Sequence, residues 1–200
     1  MKKAKVLLAG VLCGALLFSF AACGGGGNAT LDGFTRAMRS LDMEKAASYC
    51  VDADSFEDTD PAMEMAVEFT DIIDGETEDV KKFCEDLLKE CMRGFEYTVD
   101  SEEENADGTQ KTLQLICSNY NTAQALGIFA VAIAAQASTS ETGKVPLDVA
   151  EKRFDIEMDF VRDTEKTESE VSVVLVQQDG EWKLESGTLF AGVMLAAAVL

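Results

Sequence analysis

At Gly94 the spacing of apolar residues changes period, and that change limits the class of fold open to this chain. Before it, Val80, Phe83, Cys84, Leu87, Leu88, Cys91 and Met92 recur at three- and four-residue steps, predicting an amphipathic helix from Thr77 to Gly94. After it, Phe95, Tyr97 and Val99 alternate, and Leu113, Leu115 and Cys117 alternate again, as half-buried strands do. The acidic run Asp100 to Asp107 with Gly108 is expected to form the hairpin tip between them. Upstream, Thr30 is expected to cap a first helix bearing Leu31, Phe34, Ala37, Met38 and Leu41. Asp42 can cap a second. Asp60-Pro61 places a cap and an N1 proline ahead of a third, expected to end near Gly75. Downstream, Val171, Val173 and Leu175 alternate, Asp179-Gly180 signals a two-residue turn, and Trp182 and Leu184 continue a partner strand. Helices first and antiparallel strands afterwards predict an α+β domain, with N-terminal helices packed on one face of an antiparallel sheet.

Between the two hairpins lies an insertion at about 121–164. Ala123 to Ala137 is an almost unbroken apolar helix. Pro146 opens a second segment whose pattern fits two structures. Leu147, Ala150, Phe154, Met158 and Val161 fit a helix, while Phe154, Ile156, Met158 and Phe160 also alternate like a strand. The helix is preferred, making a helical hairpin. The tail Thr188–Leu200, 13 residues long, reads as a C-terminal helix too short to cross a bilayer.

The N-terminus reads as an address. Lys2, Lys3 and Lys5 precede the apolar run Val6–Phe20, as in a signal peptide over residues 1–22. Phe20-Ala21-Ala22-Cys23 resembles the lipobox of bacterial lipoprotein precursors, with Phe20 where leucine is more usual. That resemblance implies cleavage before Cys23 and a diacylglycerol thioether on its sulfur. An uncleaved membrane helix is the alternative, but it needs neither Cys23 nor the glycines after it. Residues 23–29 are then a lipidated cysteine and a glycine-rich linker, reaching roughly 12 Å as a flexible coil, and residues 30–200 one domain. The expected location is the outer face of the bacterial cytoplasmic membrane. Removing residues 1–22 discards three of 17 basic residues and none of 37 acidic ones, taking the formal charge from −20 to −23. Anionic headgroups repel such a domain, so the lipid must hold it.

The stretch LDGFTRAMRSLDMEKAA, Leu31 to Ala47, resembles the opening of small lipoproteins of Gram-positive, clostridial-type bacteria. Their domain is a cystatin-like cone of the nuclear transport factor 2 superfamily. Val171 to Leu184, with Gln178-Asp179-Gly180-Glu181-Trp182, is similar to their closing hairpin, and Asn119-Tyr120-Asn121 to the strand end that leads into their helical hairpin. The resemblance implies a curved sheet wrapped around helices with an apolar cavity between them. In some relatives, of the ketosteroid isomerase type, that cavity is catalytic.

The chemistry on offer is sparse. The chain has no histidine, which removes the commonest general base and metal ligand. Its acidity argues against nucleic acid as a partner. Cys50, Cys84, Cys91 and Cys117 allow three disulfide pairings. Cys84 and Cys91 lie two helical turns apart, about 10 Å, too far to bond each other. Buried free thiols are expected, with Cys50–Cys84 or Cys91–Cys117 pairs as the alternative. No CxxC or other zinc spacing occurs. The acids Asp52 to Asp60 and Asp100 to Asp107 lack the order of a calcium loop and read as solvated loops. Tyr97, Tyr120 and the strand acids are the candidates for cavity chemistry, yet each is more simply a surface residue. No catalytic, cofactor or metal residue is assigned. Cys23 is the single assigned site, for lipid attachment.

Three roles follow. A binding module, expected to be non-enzymatic, predicts a pocket or patch beside the Ala-rich helices for an apolar ligand or an envelope protein. An envelope structural or assembly factor predicts a filled core. A cavity enzyme predicts a buried carboxylate.

Overall fold

The computed structural model describes residues 25–56 and 59–196. The signal peptide, Cys23, Gly24 and the last four residues of the expected C-terminal helix lie outside them.

Helix α1 spans Gly25–Ser40, beginning five residues before the expected cap. Thr30 does not cap it, because the Thr30 hydroxyl donates to the carbonyl of Trp182 at 2.8 Å. Its oxygen serves the sheet, and the helix continues N-terminally through Gly25–Ala29, which were expected to be coil. Asp42 caps α2 (Met43–Ala47), its carboxylate accepting from Lys45 N. Asp60 caps α3 (Pro61–Phe69) through Met63 N, with Pro61 at the first helical position. This helix stops at Phe69 rather than near Gly75. The chain instead forms β1 (Ile73–Asp74), which pairs in parallel with β4 (Val145–Pro146) and buries Ile73 and Val145. Helix α4 (Thr77–Arg93) buries all seven residues of its expected stripe.

The sheet has the order β2 (Glu96–Glu104), β3 (Gln110–Asn119), β5 (Thr167–Gln178), β6 (Glu181–Leu184), antiparallel throughout. Strand β2 (Glu96–Glu104) extends through most of the acidic run, and the hairpin tip is confined to residues 105–109. The acids tolerate a strand because their side chains are exposed, and Lys111 on β3 (Gln110–Asn119) reaches Glu102 at 2.6 Å and Glu104 at 3.3 Å. Strands β5 (Thr167–Gln178) and β6 (Glu181–Leu184) are joined at Asp179 and Gly180, with φ of 54° and 84°. That left-handed pair is the twist-matched hairpin turn the dipeptide predicts. The insertion is a helical hairpin, α5 (Thr122–Thr139) and α6 (Leu147–Arg162), and α7 (Gly187–Ala196) closes the described chain.

Aromatic rings divide the core into two nodes. Between helices and sheet, Phe34 meets Phe56 at 5.7 Å and Phe190 at 5.9 Å, and Phe190 meets Phe95 at 5.9 Å and Tyr97 at 6.1 Å. Among the helices, Phe83 of α4 meets Phe69, Phe129 and Phe154 within 6.4 Å. Helix α4 therefore serves both nodes, through Phe83 on one side and the α1 and α7 contacts on the other. Asn119, fully buried, joins the ends of three elements. Its amide donates to Cys91 O of α4 at 3.0 Å and Met194 O of α7 at 2.9 Å.

Candidate functional site

The polar groove lies between α1 and the first residues of β2. Asp32, Thr35, Arg36 and Arg39 recur at steps of three and four, so one stripe of α1 carries them beside the buried stripe of Leu31, Phe34 and Met38. Opposite stand Phe95 to Val99, and the groove between encloses about 640 Å³. Tyr97 donates its phenol proton to Asp32 Oδ1 at 2.6 Å. Burial, then the Asp32 hydrogen bond, push the phenol pKa up, so Tyr97 stays a hydrogen-bond donor. Arg39 donates to the carbonyls of Met92 and Phe95 as α4 ends. Arg36 is exposed and has no ion-pair partner among the described residues, whereas Arg93, Arg153 and Arg162 each pair with a carboxylate. Thr35 is 6 % exposed, and its hydroxyl has no hydrogen-bond partner among the described residues. Glu96, at the same groove, is engaged by Lys166 at 2.8 Å.

The second feature is the outer face of α5. This helix carries no charged residue, is long and apolar enough to cross a membrane by length and composition, and is only 28 % buried. Phe129, Ile133 and Ala137 hold it to the domain, while Val131 is 72 % and Ile128 36 % exposed. An open groove of about 490 Å³ runs along Gly127, Ile128, Val131, Ala132 and Ala135 to Arg153 of α6. Arg153 pairs with Glu157, but its Nε is buried without a partner among the described residues. Ile156 and Phe160, three and seven residues on, continue the Arg153 stripe and are exposed.

The sequence-level candidates are scattered. Cys50, Cys84, Cys91 and Cys117 are buried free thiols. Burial pushes the first three up to about 12 and Cys117 up to about 11, so none is a nucleophile at neutral pH. Among the described residues no three acids or cysteines gather as a metal site. Tyr120 lies under the Lys166 ammonium, 5.5 Å from its ring, and does not line Tyr97's groove. Asp52, read as loop acid, instead caps α7: Gly187 N and the Thr188 hydroxyl donate to it at 2.8 and 2.9 Å. Cys23 lies outside the described residues. Asp32, Thr35 and Arg36 were missed as a site, although their three-and-four spacing on the polar side of α1 is visible in the sequence.

Compared with known proteins, the chain matches no protein-family model, no curated protein and no solved structure.

Proposed function

We propose that this chain is a lipoprotein anchored through Cys23 to the outer face of a Gram-positive bacterial membrane, and that it binds an envelope protein through α5. The carrying observation is the uncharged, largely exposed α5 in a chain of net charge −20. An apolar face of this kind costs solubility unless something covers it. Charge selects the occupant. Anionic headgroups and a second copy of this chain are both repelled by the acidic domain. Glu151, Asp155 and Asp159, exposed on α6, add to that charge. The complement is a protein segment, apolar at its centre and basic at its margins. Small side chains at Gly127, Ala132 and Ala135 let its backbone approach closely. A binding role also accords with the aromatic filling between helices and sheet, which leaves a cavity reaction little room. The family resemblance to clostridial-type lipoproteins with a nuclear transport factor 2-like cone belongs to the same proposal.

A photo-crosslinking residue at position 131 of the full chain, in a Gram-positive host, tests it, with position 67 on α3 as an exposed control. One protein should be captured at 131, not at 67, and Ile128→Glu should abolish the capture. Crosslinks to lipid or to a second copy would refute the protein partner. Cys23→Ser tests the anchor separately, and a variant that still fractionates with membranes after signal cleavage would refute it.

A further inference from the structure

The two edges of the sheet are treated differently. At β6 the outer row is occupied, since Val51 N donates to Leu184 O and Leu184 N to Tyr49 O, both at 2.8 Å. At β2 no strand lies outside among the described residues, so its outward backbone groups have no ladder partner there. Its later residues carry the acids that blunt an edge. Its first residues, Glu96 to Val99, carry a single acid, Glu96, which Lys166 engages, and they line the polar groove with α1. A bulge between Val99 and Ser101 ends the regular stretch. Four residues of strand span about 10 Å, the length of three or four residues of an added peptide.

The helix side of the groove is chemically one-sided. Among the described residues, Arg36 has no ion-pair partner, and the buried Thr35 hydroxyl beside it has no hydrogen-bond partner. The acids nearby are already engaged, Asp32 by Tyr97 and Glu96 by Lys166. A helix facing an open strand edge is the geometry of β-strand addition, in which backbone hydrogen bonds supply affinity. An unengaged guanidinium there favours a carboxylate, which it can hold with two parallel bonds. Arg36 lies between Asp32, which meets Tyr97, and Arg39, which meets Phe95. The carboxylate end is thereby placed at the start of β2.

We propose that the groove between α1 and β2 captures the free C-terminal end of an extended peptide, which adds antiparallel to Glu96–Val99 with its carboxylate on Arg36 and the Thr35 hydroxyl. This site uses none of the α5 residues, and it stands or falls independently of the protein-docking reading.

The test uses the full chain in detergent micelles and two immobilised random hexapeptide libraries, one with free C-terminal carboxylates and one amidated. The free-acid library should retain the protein at least ~10-fold better, an energy of about 1.4 kcal/mol. Arg36→Gln should erase that preference, Arg36→Lys restore part of it, and Thr35→Val weaken retention several-fold. Amide hydrogen exchange on wild-type protein should slow at Glu96–Val99 when free-acid peptide is added. Equal retention of both libraries, no retention, an unchanged Arg36→Gln variant, or protection outside Glu96–Val99 would each overturn the proposal. Arg36 is exposed, so an unaltered melting temperature checks the fold of its variants, and the exchange measurement needs no variant.

Discussion

Replacing Asn119 with alanine removes the polar joint between the sheet and two helix ends. Its Nδ2 donates to Cys91 O at 3.0 Å and Met194 O at 2.9 Å, and its Oδ1 accepts from Tyr120 N at 2.8 Å. Three hydrogen bonds at about 1 kcal/mol net each make about 3 kcal/mol. The cost rises if the two carbonyls stay dry, and falls if a water enters the vacated space and bridges them. For a domain of this size about 3 kcal/mol lowers Tm by roughly 6–12 °C. Urea unfolding followed by Trp182 fluorescence and far-UV circular dichroism measures it, with an unchanged m-value showing that the denatured state is unaffected. Asn121→Ala is the comparison: two residues away, an exposed cap whose Oδ1 accepts from Gln124 N at 3.0 Å, worth about 1 kcal/mol. If Asn119→Ala costs no more than Asn121→Ala, burial does not amplify those bonds and the joint holds nothing.

Other expectations rest on separate contacts. Burial pushes the Asp52 carboxyl up, but hydrogen bonds from Gly187 and Thr188 outweigh it and hold the pKa below its ordinary value. The native value is the lower one, so the stabilisation is complete above about pH 4–5 and is lost as pH falls through it. Asp52→Asn should therefore be less stable than wild type at pH 7, with the gap narrowing as pH falls through the lowered native value. A gap independent of pH would refute the charged cap. Cys50, Cys84, Cys91 and Cys117 should resist iodoacetamide in the native state, and denaturing the cleaved, Cys23-lipidated chain without reductant should add four alkyl groups by mass. Fewer than four would reveal a disulfide. A Cβ at Gly187 would meet the Cys50 sulfur and come within 2.9 Å of Phe56, so Gly187→Ala should cost about 1–3 kcal/mol in the same urea assay. A neutral result would mean that Phe56 and Cys50 move aside freely.

What the sequence determined is what neighbours within four or five residues can enforce. Asp42 reaches Lys45 N and Asp60 reaches Met63 N. Asp179 and Gly180 supply the two left-handed residues of the last hairpin. The α4 stripe is buried as its spacing requires. Residues 147–162 fitted helix and strand alike, and burying Ala150, Phe154, Met158 and Val161 together on a helix leaves only Ile156 and Phe160 to solvent. Tertiary structure decided the rest because the deciding partners are remote. Thr30 leaves its capping role for a carbonyl 152 residues away, and Asp52 caps a helix 135 residues away. Asn119 joins groups 28 and 75 residues distant. The polar groove exists because α1 lies beside a strand edge, and neither the edge nor the pairing of Asp32 with Tyr97, 65 residues apart, leaves a local signature. A hydrogen bond across such distances depends on where packing places both ends, and packing belongs to the whole chain.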